Sequence, residues 1–291
     1  MPEIKIQKPH FGDEWRTYCI YSDRHFDEFE MNDEHVIPRS LGGFRSTIIR
    51  SNKKLNSDIG SKIDAKISND FIFLCARRDA NAKGASKKPP TPIVREAAAW
   101  QRGQSFEDLD RRYNLEIPSR GQPIKIYDRK TGHFVGFDLS EFGFVSEFRI
   151  NSHDRARFVA KTFLGMGWRI FGNNFLSIKS LPSVRDLMGI KINSEITKIY
   201  YFDQFLINTD ESDSHPYIKI QHFIESSKCT RILLRRSDFY IEWTVCCLGK
   251  TVGTILVPDA ERHLPLPMES GEGILIEPTS HEIKFYAADA F

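Results

Sequence analysis

The stretch Glu34-His35-Val36-Ile37-Pro38-Arg39-Ser40-Leu41-Gly42-Gly43 runs on through Thr47-Ile48-Ile49-Arg50 to Asn52-Lys53-Lys54-Leu55-Asn56-Ser57-Asp58-Ile59-Gly60. Successive side chains of a strand face opposite sides, so Glu34 and His35 address different surroundings from one short run. Pro38 ends that strand, because it brings no backbone donor to a ladder. Gly42 and Gly43 permit the positive-φ conformations of a tight reversal. The β-branched run from Thr47 to Arg50 reads as the return strand. Ser51 or Asn52 then caps a helix through about Ser68, with Ile59, Ile63 and Ile67 on one face. Asn56 falls in the first turn of that helix and can aim its amide back at the hairpin. The pattern predicts strand, turn, strand and helix.

Together, the Glu-His pair, the proline, the Gly-Gly and the Asn-x-x-x-Gly spacing resemble the HNH endonucleases of the EHVIPxxLGG…NxxxG type. The resemblance implies a ββα-metal module around one divalent ion, Mg²⁺ or Mn²⁺. It assigns Glu34 and Asn56 as metal ligands and His35 as the general base. Oxygen ligands suit a hard cation that relieves charge on a phosphodiester. A neutral imidazole titrates near working pH and can take a proton from water. The family's middle position, which orients the histidine, falls near Thr47, where this chain departs from the family's asparagine. Asp33 is the lesser carboxylate, and Asp64 belongs at most behind the ligands. Many relatives carry two Cys-x-x-Cys pairs for structural zinc. Here Cys19-Ile20-Tyr21-Ser22 and Asn52-Lys53-Lys54-Leu55 stand in their places. One thiolate cannot make a four-ligand site, so no structural zinc is expected, with Ile20 and Leu55 packing there instead.

The formal net charge is only +2, but its distribution is uneven. From Val36 to Trp100 there are 13 Lys/Arg against 5 Asp/Glu, whereas Asp23 to Glu34 is acidic. An isolated charge run is usually a solvated face. Beside a phosphodiesterase pattern it reads as a track for DNA phosphates, with Arg39, Lys53, Lys54, Lys62, Arg77, Arg78, Lys87 and Lys88 as its candidates. The five cysteines form no disulfide or zinc pattern, and Cys246-Cys247 read as buried small hydrophobes. Without a signal peptide or a membrane-spanning apolar run, the sequence points to the cytoplasm.

At 291 residues the chain has room for one large or two modest cores. The expected class is α+β: a nuclease module over residues 1–80, a basic loop with linker helices over 81–115, and a β-rich region over 116–291. Ile93 to Arg102 and Ser105 to Tyr113 read as short helices. Ile124–Tyr127 and His133–Phe137 read as a hairpin, and Asn151 to Ile170 as an amphipathic helix. A helix centred on a lysine follows the module in some relatives, but Lys161 itself reads as an exposed lysine on a packed helix. Strands are expected at 196–207, 217–225, 231–234, 239–248, 251–257, 273–277 and 282–287. Tyr200, Tyr201, Phe202, Phe205, Phe239, Tyr240 and Trp243 read as core, and His215 and His222 as structural or exposed.

The resemblance implies an endonuclease that nicks or cuts DNA. It suggests a bacterial host-defence effector, such as the nuclease of a multi-gene antiphage system of the Zorya kind, with protein partners on the C-terminal half. The alternatives are a nucleic-acid-binding protein on an HNH scaffold and a nuclease acting on RNA.

Overall fold

The computed structural model describes residues 1–291 except 7, 8, 10, 12–14, 85, 86, 102, 103, 106–108, 120, 138–141, 191–197, 204–221, 260, 261, 263, 265, 267–270 and 289–291. Five short strands come first: β1 (Glu3–Ile4), β2 (Tyr18–Cys19), β3 (Arg24–His25), β4 (Met31–His35) and β5 (Ile48–Asn52). A helical run follows as α1 (Lys53–Ile59), a π-turn at Gly60–Asp64 and α2 (Ala65–Ser68). β4 and β5 pair antiparallel from Met31↔Asn52 to His35↔Ile48. One further bond, Val36 N–H to the Thr47 carbonyl at 3.2 Å, extends the ladder past His35. Pro38 then opens a 3-10 turn at Arg39–Leu41, closed by Gly42 at φ 83°. A Cβ on Gly43 would stand 1.7 Å from the Ile37 carbonyl oxygen, so this reversal admits only glycine. The Asn52 side chain caps α1 by accepting from the amides of Lys54 and Leu55. Ile59, Ile63 and Ile67 are all buried, as their spacing predicts.

Next come α3 (Phe71–Asp79) and four strands, β6 (Ile93–Gln101), β7 (Tyr113–Glu116), β8 (Lys125–Asp128) and β9 (Phe142–Val145). They form an antiparallel sheet in the order β8-β7-β6-β9. The helix expected at 93–102 is therefore strand β6. A bulge between Val94 and Ala97, with Glu96 at φ 59°, turns both flanking residues into the core beside Leu115 and Ile126. Two buried residues three apart imitate a helical period, and sheet packing overrides the helix propensity of three alanines. Of the second expected helix, 106–108 lie outside the described residues. Residues 109–112 are not helical, and Tyr113 opens β7. The expected hairpin is present: the amides of Asp128 and Val135 donate to the carbonyls of His133 and Ile126.

The chain continues through α4 (Ser152–Phe171), α5 (Leu181–Leu187), β10 (Tyr200–Phe202), β11 (Arg231–Arg236), β12 (Tyr240–Cys247), β13 (Lys250–Pro258), β14 (Gly273–Pro278) and β15 (Ile283–Ala288). These strands and β1 form a seven-stranded antiparallel sheet, ordered β1-β15-β14-β11-β12-β13-β10. Asn151 caps α4 by accepting from the Asp154 amide. The helix lies along β12 and β13, where Trp243 donates to the Thr162 hydroxyl and meets Phe163 edge to face. Leu233, Cys246 and Leu275 gather with Ile224 in a second cluster. Residues 222–225 are a helical turn rather than the expected strand, while 204–221, with Phe205 and His215, lie outside the described residues. Phe239 and Tyr200 are exposed, contrary to the core reading, whereas Trp243, Cys246 and Cys247 are buried. His222 is exposed.

The protein is α+β, but its units differ from the expected division at 80 and 115. Met1–Asn69 and Asn151–Phe291 make one compact unit, interrupted by a second, Asp70–Ile150. The chain leaves the first unit where α2 ends and returns at the cap of α4. The strand–turn–strand–helix of β4 to α2 thus shares a core with the C-terminal sheet instead of standing as its own domain. No helix among the described residues is long and apolar enough to cross a membrane.

Candidate functional site

His35 ends β4 with its ring half-buried, and its Nε2 is buried without a hydrogen-bond partner. An orphaned buried ring nitrogen is costly and marks a place that a water or ligand completes. Burial lowers its pKa below the ordinary 6.5, reinforced by the nearby Arg39 charge and by Lys161, against Glu34 and Asp33. The ring is therefore neutral at neutral pH and able to accept a proton.

Asn56 reaches back from α1 to β4. Its amide nitrogen donates to the Asp33 carbonyl at 3.1 Å and to Asn32 Oδ1 at 2.9 Å. A carbonyl can only accept, so this bond fixes which way the amide faces and leaves Asn56 Oδ1 as a free acceptor. The predicted juxtaposition of Asn56 with the Glu-His strand is present.

Glu34 faces the other way from His35, as strand alternation requires, and is only 4% exposed. Its Oε1 lies 2.7 Å from Lys161 Nζ, and no described residue donates to Oε2. Lys161 also meets both oxygens of Asp64, at 2.8 and 2.7 Å, and the His35 carbonyl at 3.3 Å. The hydrogen bonds of the ammonium go to Asp64 and the His35 carbonyl, while Glu34 Oε1 stands beside it as an ion pair with no hydrogen bond of its own. Lys161 is thus wholly buried, not the exposed lysine its sequence suggests. Burial alone would lower its pKa, but Asp64 and Glu34 outweigh that and raise it, so it stays charged. Burial pushes Asp64 up to about 7 despite the ammonium, since two carboxylates share one cation. The signal for Lys161 was available. Every residue from Phe158 to Trp168 is buried, and this run holds one charged side chain. A charge on a helix apolar all round is buried and paired.

Thr47 is buried, and its hydroxyl donates to the Phe44 carbonyl at 2.8 Å rather than to His35. Its backbone carbonyl accepts from the Val36 amide and so extends the ladder past His35. Strand β2, which enters the first expected knuckle segment, lies against β5, which leads into the second. Cys19 Sγ lies 3.4 Å from Ser51 Oγ, Ile20 is buried and Leu55 half-buried. Arg185 of α5 ties the first knuckle from outside, donating to the Ile20 carbonyl and to Asp23 at 2.8 and 2.9 Å. Sequence reasoning missed this arginine, which lies more than a hundred residues along the chain with no local pattern to announce it.

The proposed basic track divides. Lys53 and Lys54 are exposed on the first turn of α1, and Arg39 is exposed on the turn after β4. Lys62 is exposed and pairs with Asp58 at 3.4 Å. Arg77, Arg78, Lys87 and Lys88 belong to the other unit. Arg77 is buried there, and Arg78 is tied to Asp79 and the Ile117 carbonyl, whereas Lys87 and Lys88 are exposed.

The chain matches no family model, no curated protein and no solved structure. Function must be argued from the site itself. Among the described residues no group of three or more His, Cys, Asp and Glu side chains is gathered for a metal. The groups left with open acceptor or unpartnered atoms on this hairpin and its helix are Asn56 Oδ1, Glu34 Oε2 and His35 Nε2.

Proposed function

We propose that this chain is a metal-dependent endonuclease of the HNH type that hydrolyses DNA phosphodiesters. The observation that carries the reading is the bond from the Asn56 amide to the Asp33 carbonyl. It joins the helix carboxamide to the strand bearing Glu34 and His35, as the sequence resemblance requires. Asn56 Oδ1 and Glu34 Oε2 would hold a Mg²⁺ or Mn²⁺ ion. Such an ion supplies charge relief at a phosphate and its leaving oxygen. His35, neutral and with one nitrogen unpartnered, takes the proton of the attacking water. Arg39, Lys53 and Lys54 neutralise the flanking phosphates.

A second reading, a binding protein that grips nucleic acid without cutting, is favoured by one observation: Glu34 already has a buried ammonium as counter-ion. Supercoiled plasmid incubated with wild type and His35→Ala, in Mg²⁺, Mn²⁺ or EDTA, separates the two. Metal-dependent nicking or linearisation by the wild type, reduced about 10²–10⁴-fold in His35→Ala with DNA binding kept, supports the nuclease. Binding without cutting under every condition supports the binder.

A further inference from the structure

Lys161 stands more than a hundred residues from the hairpin in sequence, yet its ammonium touches β4 twice and the helical run once. It meets Glu34 Oε1, the His35 carbonyl and both oxygens of Asp64. Its placement is built by the fold. Gly165, one turn further along α4, lets the helix approach so closely that a Cβ there would lie 2.6 Å from Val36 Cγ2 and 2.7 Å from Tyr21 Oη. The π-turn Gly60–Asp64 ends on the carboxylate that Lys161 holds, and such turns recur at functional sites. Burying an ammonium costs several kcal/mol before pairing, and hydrophobic residues in place of the whole Lys161–Glu34–Asp64 cluster would often be as stable. The arrangement therefore calls for a reason beyond stability.

We infer that Lys161 is the positioning residue of the metal site: it clamps Glu34 through Oε1 so that Oε2 alone is presented as ligand, while Asp64 anchors the clamp to the helix that carries Asn56. This rests on the nuclease reading. Lys161 touches neither substrate nor ion. It orients a ligand, as outer-shell partners do at other metal sites.

Mn²⁺ binding to the full chain, followed by electron paramagnetic resonance of the free ion, tests this apart from cleavage. Lys161→Met/Asp64→Asn removes the clamp while the cluster keeps one net negative charge. It is expected to bind Mn²⁺ about 10–100-fold more weakly, with cutting restored as Mn²⁺ is raised. Lys161→Gln/Asp64→Asn returns an amide donor to Glu34 and is expected to fall between that variant and the wild type. Melting curves identify which variants fold. If the Met variant does not, the Gln variant decides: a severalfold loss supports the inference and wild-type affinity overturns it. Folded variants that bind Mn²⁺ like a cutting wild type overturn the role of Lys161 alone. A wild type that neither binds Mn²⁺ nor cuts overturns the nuclease reading, and this inference with it.

Discussion

In the unit that carries His35, the consequential cations are buried and pair across long stretches of chain: Lys161 with Glu34 and Asp64, and Arg185 with Asp23 and the Ile20 carbonyl. In the inserted unit Asp70–Ile150 Arg129 and Glu96, Arg111 and Glu147, and Lys125 and Glu116 pair at the surface, and the buried carboxylate of Asp128 pairs with the half-exposed Arg112 just before β7. Surface pairs of that kind contribute little, about 0–1 kcal/mol each, because water screens them and long side chains lose freedom. The buried ones fix where a functional group can be. Both regions count as basic or mixed in sequence, so charge tallies do not separate a positioning network from a solvated face. Burial does.

Matched substitutions at two glycines test this contrast most severely. Gly165 faces Val36 and Tyr21 at distances no Cβ tolerates, whereas a Cβ at Gly136 of the inserted unit would meet nothing within 4 Å. Gly165→Leu must push α4 away from β4, at a cost of about 1–3 kcal/mol or more from overpacking. For a unit of this size each kcal/mol lowers the melting temperature by about 2–4 °C. The same shift draws Lys161 off Glu34, so Mn²⁺ affinity falls as well. Gly136→Leu is expected to stay within about 0.5 kcal/mol of wild type. Equal melting curves for the two variants would end the claim that the close crossing of α4 and β4 sets the site.

The hairpin was legible because its signals are local: a proline, two glycines and an asparagine cap each dictate the backbone within a few residues. Helix α4 and most C-terminal strands were legible for the same reason, through period and propensity. Strand β6 was not, since one bulge re-phases its burial into a helical-looking spacing. The roles of Lys161, Asp64 and Arg185 were illegible as pairings, because nothing local says which buried carboxylate a buried cation will find. Thr47 shows the reverse case. The resemblance gives its side chain the place beside the histidine, whereas that hydroxyl turns to the Phe44 carbonyl and its main-chain carbonyl accepts from the Val36 amide. The compact units also divide the chain elsewhere than at 80 and 115, because the sheet that shares the hairpin's unit lies beyond an insertion.

The basic track gives a subtler comparison. Lys53 and Lys54 are exposed and free to meet phosphates, whereas Arg78 is committed to Asp79 and the Ile117 carbonyl. Lys53→Glu/Lys54→Glu is expected to weaken DNA binding and to flatten the slope of log affinity against log salt by about 2, one counterion per lost contact. Arg78→Ala is expected to leave that slope alone and to destabilise the inserted unit by about 1 kcal/mol through its lost bonds. Titrations over a range of KCl concentrations read the first effect and thermal melts the second. An unchanged slope in the lysine variant, or a flattened one in Arg78→Ala, would redraw the DNA-binding surface.

The smallest effect concerns how the turn after β4 is held. Thr230 donates to the Leu41 carbonyl at 2.7 Å and accepts from the Leu248 amide, and Ser46 donates to the Thr279 carbonyl at 2.6 Å. Arg169 adds a bond from α4 to the Ser46 carbonyl. The turn is therefore fastened to the residue before β11, to the β14–β15 turn and to α4, which makes the C-terminal sheet a scaffold for the hairpin. Ser46→Ala removes one of these ties and leaves an unpaired carbonyl, at a cost of about 0.5–1.5 kcal/mol. If the scaffold reading is right, the loss appears locally, as faster amide hydrogen exchange at 38–47 with exchange in the inserted unit unchanged. Uniform acceleration across both units would mean that the hairpin and the sheet do not depend on each other in this way.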